Sequence, residues 1–582
     1  MKYVKHIFGI ALAIGIQGTL LAQDDIGTET VTVVKSYTPT VADAHKINSL
    51  PELTDSLVLQ KKKINYSIFS VPVASTFTPA KGRAAGVKKA KPEVLFNSYA
   101  SVALGNFNNA AIDLYTSKDM DRGEKRIDFA LNHFSSRGDI DQTPLETDLY
   151  NTHFATTYSA RDRDYEWNAQ LAADHKIYHW YGVAEGVIDS ALVAGVDAKQ
   201  TYYNIQATAS LGMEETTFKG GELLLRRFWD KTGSGENRIR LAPSLELPIT
   251  DEVVNFTFHL DYLNGNFENE SLNSLDNDNP IQYSYFQAGI TPSLRIIRDE
   301  LTLNLGARIV VGLDTERSDT NFYLYPEITA SYRLADDLAI AYGGLQGQLR
   351  QNSYYDLVNK NPYVSPTLEI QPTDQQYDAF VGLRGQLSSN LSYNVKASYK
   401  AENRLPLFKL NPENQFRTDM QGYYYGNSFD VFYDDLKTFG LFGELSVDVN
   451  RNFSLGVNAE VFDYNTETNN APWNLPDMKG ALTLDYNSPT AWYFGASLFY
   501  VGEREDLVSQ VAPNTLPQDF PSFTVALDSY FDANAYLGYR VNDQLAIFAR
   551  GNNLANNQYQ RWANFRVQSL QILGGISYKF DF

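Results

Sequence analysis

Few residues in this chain are placed to do chemistry. His175 and His179 stand four positions apart. On a helix that spacing would aim two imidazoles at one metal ion. On a strand they would share a face but sit about 13 Å apart, too far for one ion. His259 lies on the polar side of "FTFHLDY" and reads as a solvated or hydrogen-bonded residue. "RGD" at Arg137–Asp139 opens a connection between alternating runs, where such tripeptides arise by chance. There are no cysteines. That removes thiol nucleophiles, thiolate metal sites and disulfides. Carboxylates are abundant, but no Ser/His/Asp set assembles from their positions. The expectation is a non-enzyme with no metal and no cofactor. A better candidate for contact is "MQGYYYGNSFDVFYDD", Met420–Asp435. Its Tyr423, Tyr424, Tyr425, Phe429, Phe432 and Tyr433 suit two roles. They could anchor a protein interface, or form an aromatic girdle at a membrane surface.

The elements that must position these residues are strands. From about Val94 to Phe582 the chain alternates apolar and polar residues, turns, and alternates again. In "FDANAYLGYRV", Phe531, Ala533, Ala535, Leu537, Tyr539 and Val541 fall on one face, with Asp532, Asn534, Gly538 and Arg540 on the other. "LSYNVKASYKA" and "FSLGVNAEV" do the same. Period two means a strand with one dry and one wet face. Aromatics make up 13% of the chain, mostly 38 Tyr and 33 Phe, which suit strands and membrane interfaces.

A soluble sandwich would bury the dry faces against each other. A membrane barrel would turn them to lipid. Predicted strands of about ten to fourteen residues exceed the soluble norm and reach across a bilayer when tilted. The turns alternate short and long, as in outer-membrane barrels. Short ones fall at Arg161–Asp164, Arg298–Glu300 and Asn450–Asn452, among others, and longer ones near 179–200, 351–373 and 403–436. Read with 403–436 as a single loop, the chain threads into about twenty-two strands. The fold class is therefore an all-β, antiparallel transmembrane β-barrel with long extracellular loops and short periplasmic turns. A formal charge of -20 disfavours nucleic acid as a partner.

Residues 1–22 read as a signal peptide: Lys2 and Lys5, an apolar core at Ile7–Ala22, then polar "QDD". The expected location is the bacterial outer membrane, with its lipid as the first partner. At the other end, "SLQILGGISYKFDF" puts Leu570, Ile572, Gly574, Ile576, Tyr578, Phe580 and Phe582 in one outward row. Left as an edge, that strand would be a hazard, and closure on the first strand removes it. A last strand ending in Tyr578, Phe580 and Phe582 resembles the recognition signal of assembled outer-membrane barrels.

The preceding "ARGNNLANNQYQRWANF" supplies Asn552, Leu554, Asn556, Tyr559 and Trp562, and the last strand adds Gly575, Tyr578 and Phe580. Together they resemble the C-terminal end of TonB-dependent outer-membrane receptors, which are twenty-two-stranded barrels. The resemblance implies a TonB box after the signal peptide, a segment that adds as a strand to an energy-transducing partner. "ETVTVV" (Glu29, Thr30, Val31, Thr32, Val33 and Val34) looks like such a box, and it reads equally as an ordinary strand or linker. The family also carries a plug domain before its barrel. Here residues 23–93 are short for one, lack periodicity and contain Pro39, Pro51, Pro72, Pro79 and Pro92.

Three domains follow: 1–22 the signal peptide, 23–93 an extended periplasmic segment, and 94–582 the barrel. Between Lys61 and Pro92 lie eight basic residues and no acid. That segment either enters or underlies an acidic lumen and partly closes it, or is a solvated tether. Three functions stay open. One is a plug-less or reduced-plug receptor for solute uptake, with a TonB-type transducer as partner. Another is a structural or accessory subunit bound to other outer-membrane or surface proteins. The last is a passive porin.

Overall fold

The computed structural model describes residues 95–138, 140–141, 143–184, 195–249, 252–268, 280–413, 421–468, 471–488, 490–509 and 521–582. The signal-peptide stretch, Glu29–Val34 and Lys61–Pro92 lie outside the described residues. The rest closes into a 22-stranded sheet in which every neighbouring pair is antiparallel and follows chain order. The first strand, Ser98–Gly105, pairs with the last, Gln571–Phe580, with Ser98 opposite Phe580 and Val102 opposite Ile576. Beyond the ladder, the Phe582 amide donates to the Asn97 side chain at 3.1 Å, and the Asn97 amide donates to Asp581 at 3.2 Å. Closure leaves the barrel wall no strand edge for another chain to join.

The alternation has the direction that a membrane demands. Val102, Ile576 and Ile547 are cross-strand neighbours at the closing seam, and they are 44%, 55% and 48% exposed. In water such a row would be a large unpaid apolar surface. Facing lipid, it is the ordinary outer band of a barrel. On the nearby strands Trp492–Val501 and Tyr530–Arg540, ring pairs bracket the outward band. Trp492 meets Tyr539 at the inner end (4.9 Å between centroids), and Tyr500 meets Phe531 towards the outer end (4.8 Å). Tyr578 lies outward in this band, its ring 6.2 Å from that of Phe580. The Phe582 ring lies under the Lys118 ammonium at 5.6 Å.

Inward rows are polar and of mixed sign. Arg126 pairs with Asp128 at 2.8 Å, Arg308 with Glu327 at 2.9 Å, and Lys400 with Asp378 at 3.7 Å. These acids are matched by bases on the same strand or on a neighbouring one. His259 belongs to this inner face, its Nε2 3.8 Å from Asp261.

Strand length divides the barrel into two flanks. The strands Met478–Asn487, Trp492–Val501, Tyr530–Arg540, Leu545–Asn552, Gln571–Phe580 and Ser98–Gly105 have 8 to 11 residues. Close beside them, with only the strand Phe453–Thr466 between, Leu391–Leu410 has 20 and Phe429–Asn450 has 22. The single loop expected over 403–436 is thus corrected: both strands continue far into it. The sequence hid this for a physical reason. The upper part of this hairpin is covered on both faces, so its apolar residues no longer alternate. A bulge marks the change, with two residues unpaired between Glu402 and Leu405 and Arg404 at φ 55. A bulge bends its strand and sharpens the twist, and here it carries the hairpin's tip inward.

Candidate functional site

The end with the long connections is the outer mouth. Chain crosses it. The connection that follows Arg350 carries one short helix, α1 (Tyr354–Lys360), and returns to the wall at Thr373. Its contacts lie well away from its own strands. Arg226 and Lys176, on strands Phe218–Asp230 and Tyr165–His179, donate to Ser353 at 3.0 Å and to Asn359 at 2.6 Å. Trp180 Nε1 donates to the Val364 carbonyl at 3.3 Å, and the Tyr202 hydroxyl to the Pro362 carbonyl at 2.9 Å. Tyr363 stacks on Phe565 at 4.0 Å, reaching the connection before the last strand.

The start of α1 is locked by buried charge. Ser353 is its N-cap: its Oγ accepts from the Asp356 amide at 3.1 Å and donates to Asp356 Oδ2 at 2.6 Å. Arg226 and Arg238 are direct cross-strand partners. Like charges so placed repel, and three acids offset them. Arg238 holds Asp261 through two hydrogen bonds, at 3.0 and 2.7 Å, and Asp356 through one at 3.3 Å. Arg226 lies 3.6 Å from Glu236 and 3.8 Å from Asp356, with its guanidinium 4.0 Å over the Tyr355 ring. Glu236 accepts from the Tyr354 amide at 2.6 Å and from the Tyr283 hydroxyl at 2.9 Å. Asp230 accepts from the Tyr354 hydroxyl at 2.8 Å and from Gln200 at 3.1 Å. Tyr354 is fully buried. Burial, and then the neighbouring Asp230 charge, push its phenol well above the usual range.

Around this lock lies a dry core built by strand tips and loops. Trp180 packs on Tyr423 at 5.1 Å, Tyr181 on Phe565 at 5.0 Å, and Phe429 on Trp562 at 5.5 Å. Val364 bridges to Phe429, whose amide donates to the Tyr363 carbonyl at 3.0 Å. Gly182 is required here, since a Cβ would intrude on the Phe565 ring. The described residues thus place the largest apolar core of the molecule across one end of the barrel.

The aromatic loop residues sit inside this cap. Tyr423 and Tyr424 are each 1% exposed and Phe429 is fully buried. Tyr425 and Tyr433 pack partly buried against the same core, and Phe432, opposite Leu407, is partly buried too. His175 faces outward and stacks on Tyr203 at 5.1 Å, whereas His179 is buried at the end of its strand with Nδ1 donating to the Asp148 carbonyl at 2.8 Å. Among the described residues no group of acids and histidines could hold a metal ion. Arg137 donates to the Tyr150 hydroxyl at 2.8 Å, and Asp139 lies outside the described residues.

The C-terminal motif has mechanical roles. Asn556 accepts from the Leu570 amide at 2.9 Å. Tyr559 stacks on Tyr530 at 3.7 Å and donates to Asp532 at 2.9 Å. Trp562 enters the cap core, and Gly575 leaves room for the Phe548 ring. Sequence reasoning missed the lock formed by Arg226, Glu236, Arg238, Asp230, Ser353 and Tyr354. One signal was available: Ser353 followed three positions later by Asp356 is a helix-start pattern.

No protein-family model and no curated protein sequence matches the chain. Solved structures do. The ferripyoverdine receptor of the outer membrane of Pseudomonas aeruginosa aligns at a TM-score of 0.58 and 13% identity, covering 84% of this chain and 72% of that one. The FrpB iron transporter from Neisseria meningitidis aligns at 0.61 and 11% identity, covering 84% and 82%. The siderophore receptor PirA from Acinetobacter baumannii aligns at 0.60 and 11%, covering 84% and 81%. The likeness first seen in the C-terminal motif therefore holds for the fold: this chain is a closed 22-strand membrane barrel of outer-membrane receptor architecture.

Proposed function

We propose that this chain is a receptor-like barrel for solute uptake across the bacterial outer membrane, and that its own outer loops form the gate. The observation that carries the reading is the cap: a dry aromatic core across the mouth, with α1 pinned to the far wall by Arg226, Arg238, Glu236 and Asp356. A passive porin needs an open lumen, and this cap opposes one. The similar structures are named as an iron transporter and siderophore receptors, which supports passage of a solute. In this reading 23–93 is a periplasmic segment in place of a full plug, and Glu29–Val34 pairs with a TonB-type transducer.

The same closed mouth also suits a barrel that passes nothing and serves as a subunit of a larger outer-membrane assembly. Energy-dependent accumulation of a solute, abolished by deleting Glu29–Val34, is the outcome expected of a receptor. Stoichiometric partners on purification in mild detergent, together with no accumulation, would overturn it in favour of the subunit.

A further inference from the structure

Beside the cap core lies a cavity of about 310 Å³. It is at the lower end of the range for small-molecule pockets, about 300–1,000 Å³. Its walls join the inner face of the barrel to the end of α1 and to the connection before the last strand. Lys176 comes from the wall, Lys360 from α1 and Arg561 from the connection. Among the described residues none of the three forms an ion pair, although Lys176 donates to Asn359 at 2.6 Å. The acids in reach are already engaged. Asp148, on the cavity rim, lies 3.4 Å from Arg137. Asp174, two residues below Lys176, is held by His153 at 2.6 Å and by Asn204 at 2.8 Å. Elsewhere on the wall, buried or half-buried bases such as Arg226, Arg238 and Arg308 have acids beside them.

Much of the remaining lining is ring, with Thr147, Asn359, Gln568 and Gln571 among the polar residues beside it. Tyr178, Tyr181, Tyr363 and Trp562 border the space. The Trp562 indole N–H is buried and has no acceptor among the described residues. An indole nitrogen can only donate, so an unmet donor here asks for an acceptor. Desolvation, and then the nearby Arg350 charge, hold the Lys360 ammonium below its usual range. An anion beside it would relieve that cost. Three cations without an ion pair, one unmet donor and four bordering rings together favour one kind of occupant.

We propose that this cavity binds a small organic anion with a flat apolar body, of which an aromatic carboxylate is the simplest form. The carboxylate lies among Lys176, Lys360 and Arg561, and the body lies along the rings. The site deepens the uptake reading and rests on it for its biological meaning, but binding itself requires no transport.

The test is calorimetry on the full chain in mild detergent with 2-naphthoate, its neutral carboxamide and inorganic phosphate. Saturable naphthoate binding is expected, with the amide and phosphate at least about tenfold weaker. Lys360→Gln and Arg561→Gln should each weaken naphthoate by about tenfold, and Lys360→Arg should restore most of it. Neither residue is on a strand of the barrel wall, so heat-modifiability of the barrel on gels should be unchanged. No saturable heat, equal binding of the amide or of phosphate, or glutamine variants that bind like the parent chain would each overturn the proposal. Naphthoate binding without any solute accumulation would overturn the uptake reading and leave the site. Accumulation of another solute with no naphthoate binding would overturn the site alone.

Discussion

The wall and the cap are stabilised in opposite ways. Below its outer strand tips the wall buries few large apolar side chains against protein: Val102, Ile547 and Ile576 face outward, and many inward residues are charges and hydroxyls. Its order comes from a closed hydrogen-bond ladder in a solvent that offers no alternative partner. The cap is a miniature soluble core, with Trp180, Tyr202, Tyr354, Tyr423, Phe429 and Phe565 all at most 2% exposed. Its order comes from packing and from a buried charge network that has to be complete. The contrast teaches that the two parts can fail separately. A damaged wall should not assemble, whereas a damaged cap should leave a barrel with an open mouth.

Four measurements would break or sharpen that separation. The largest effect should come from Glu236→Ala. It strands the Arg226 guanidinium in a buried site and removes the acceptor of the Tyr354 amide, at about 3–5 kcal/mol of cap stability. Single-channel recording should show a rise in conductance with the barrel still heat-modifiable. A closed channel would mean that the lock does not hold the mouth. Phe565→Ala comes next, at about 3–5 kcal/mol for a lost buried ring without a stranded charge. Proteolysis of the 361–373 stretch should accelerate while cleavage of the wall stays slow.

Val102→Arg addresses the wall instead. At the bilayer midplane an arginine on the lipid face costs about 2–4 kcal/mol. The expected loss is in assembly yield and unfolding stability, with conductance of the surviving barrels unchanged. An opened mouth in this variant would deny that the two regions are independent.

The smallest effect concerns Asp506, in the outer hairpin formed by Arg504–Ser509 and Ser522–Leu527. Burial pushes its carboxyl up from 3.8 to about 7, against hydrogen bonds from Asn474, Leu410 and Leu507 that pull it down. The folded state therefore binds the proton more tightly than the unfolded one. Its favourable contribution is fully present below about pH 4 and is lost as pH rises through 7. Between pH 6 and pH 8 the hairpin should lose about 1 kcal/mol. Hydrogen exchange at the Leu410 amide should quicken accordingly, and Asp506→Asn should abolish the pH dependence.

The wall was legible because a lipid-facing strand must alternate. "FDANAYLGYRV" and "SLQILGGISYKFDF" could be assigned face by face, and the short turns at Arg161–Asp164 and Arg298–Glu300 fall between the strands of the structure. The cap was not legible. Residues such as Leu407, Phe408 and Phe429 are buried from both sides, so neither period two nor any other period survives. The lock was hidden for a related reason. Arg226 and Arg238 look like any two inward-facing lumen charges until α1 arrives from a connection more than a hundred residues away.

By itself, then, the sequence determined the membrane barrel, its approximate strand number, its inner and outer ends and its closure. Each follows from local alternation, turn length and the terminal aromatic strand, which need no distant partner. Only the tertiary structure decided that a connection crosses the outer mouth, that Tyr423 and Tyr424 belong to a core, and that Lys176, Lys360 and Arg561 share one cavity. Those facts depend on which loops cross the lumen and meet. That choice is made by shape and charge complementarity between segments far apart in the chain, and no short window of sequence records it.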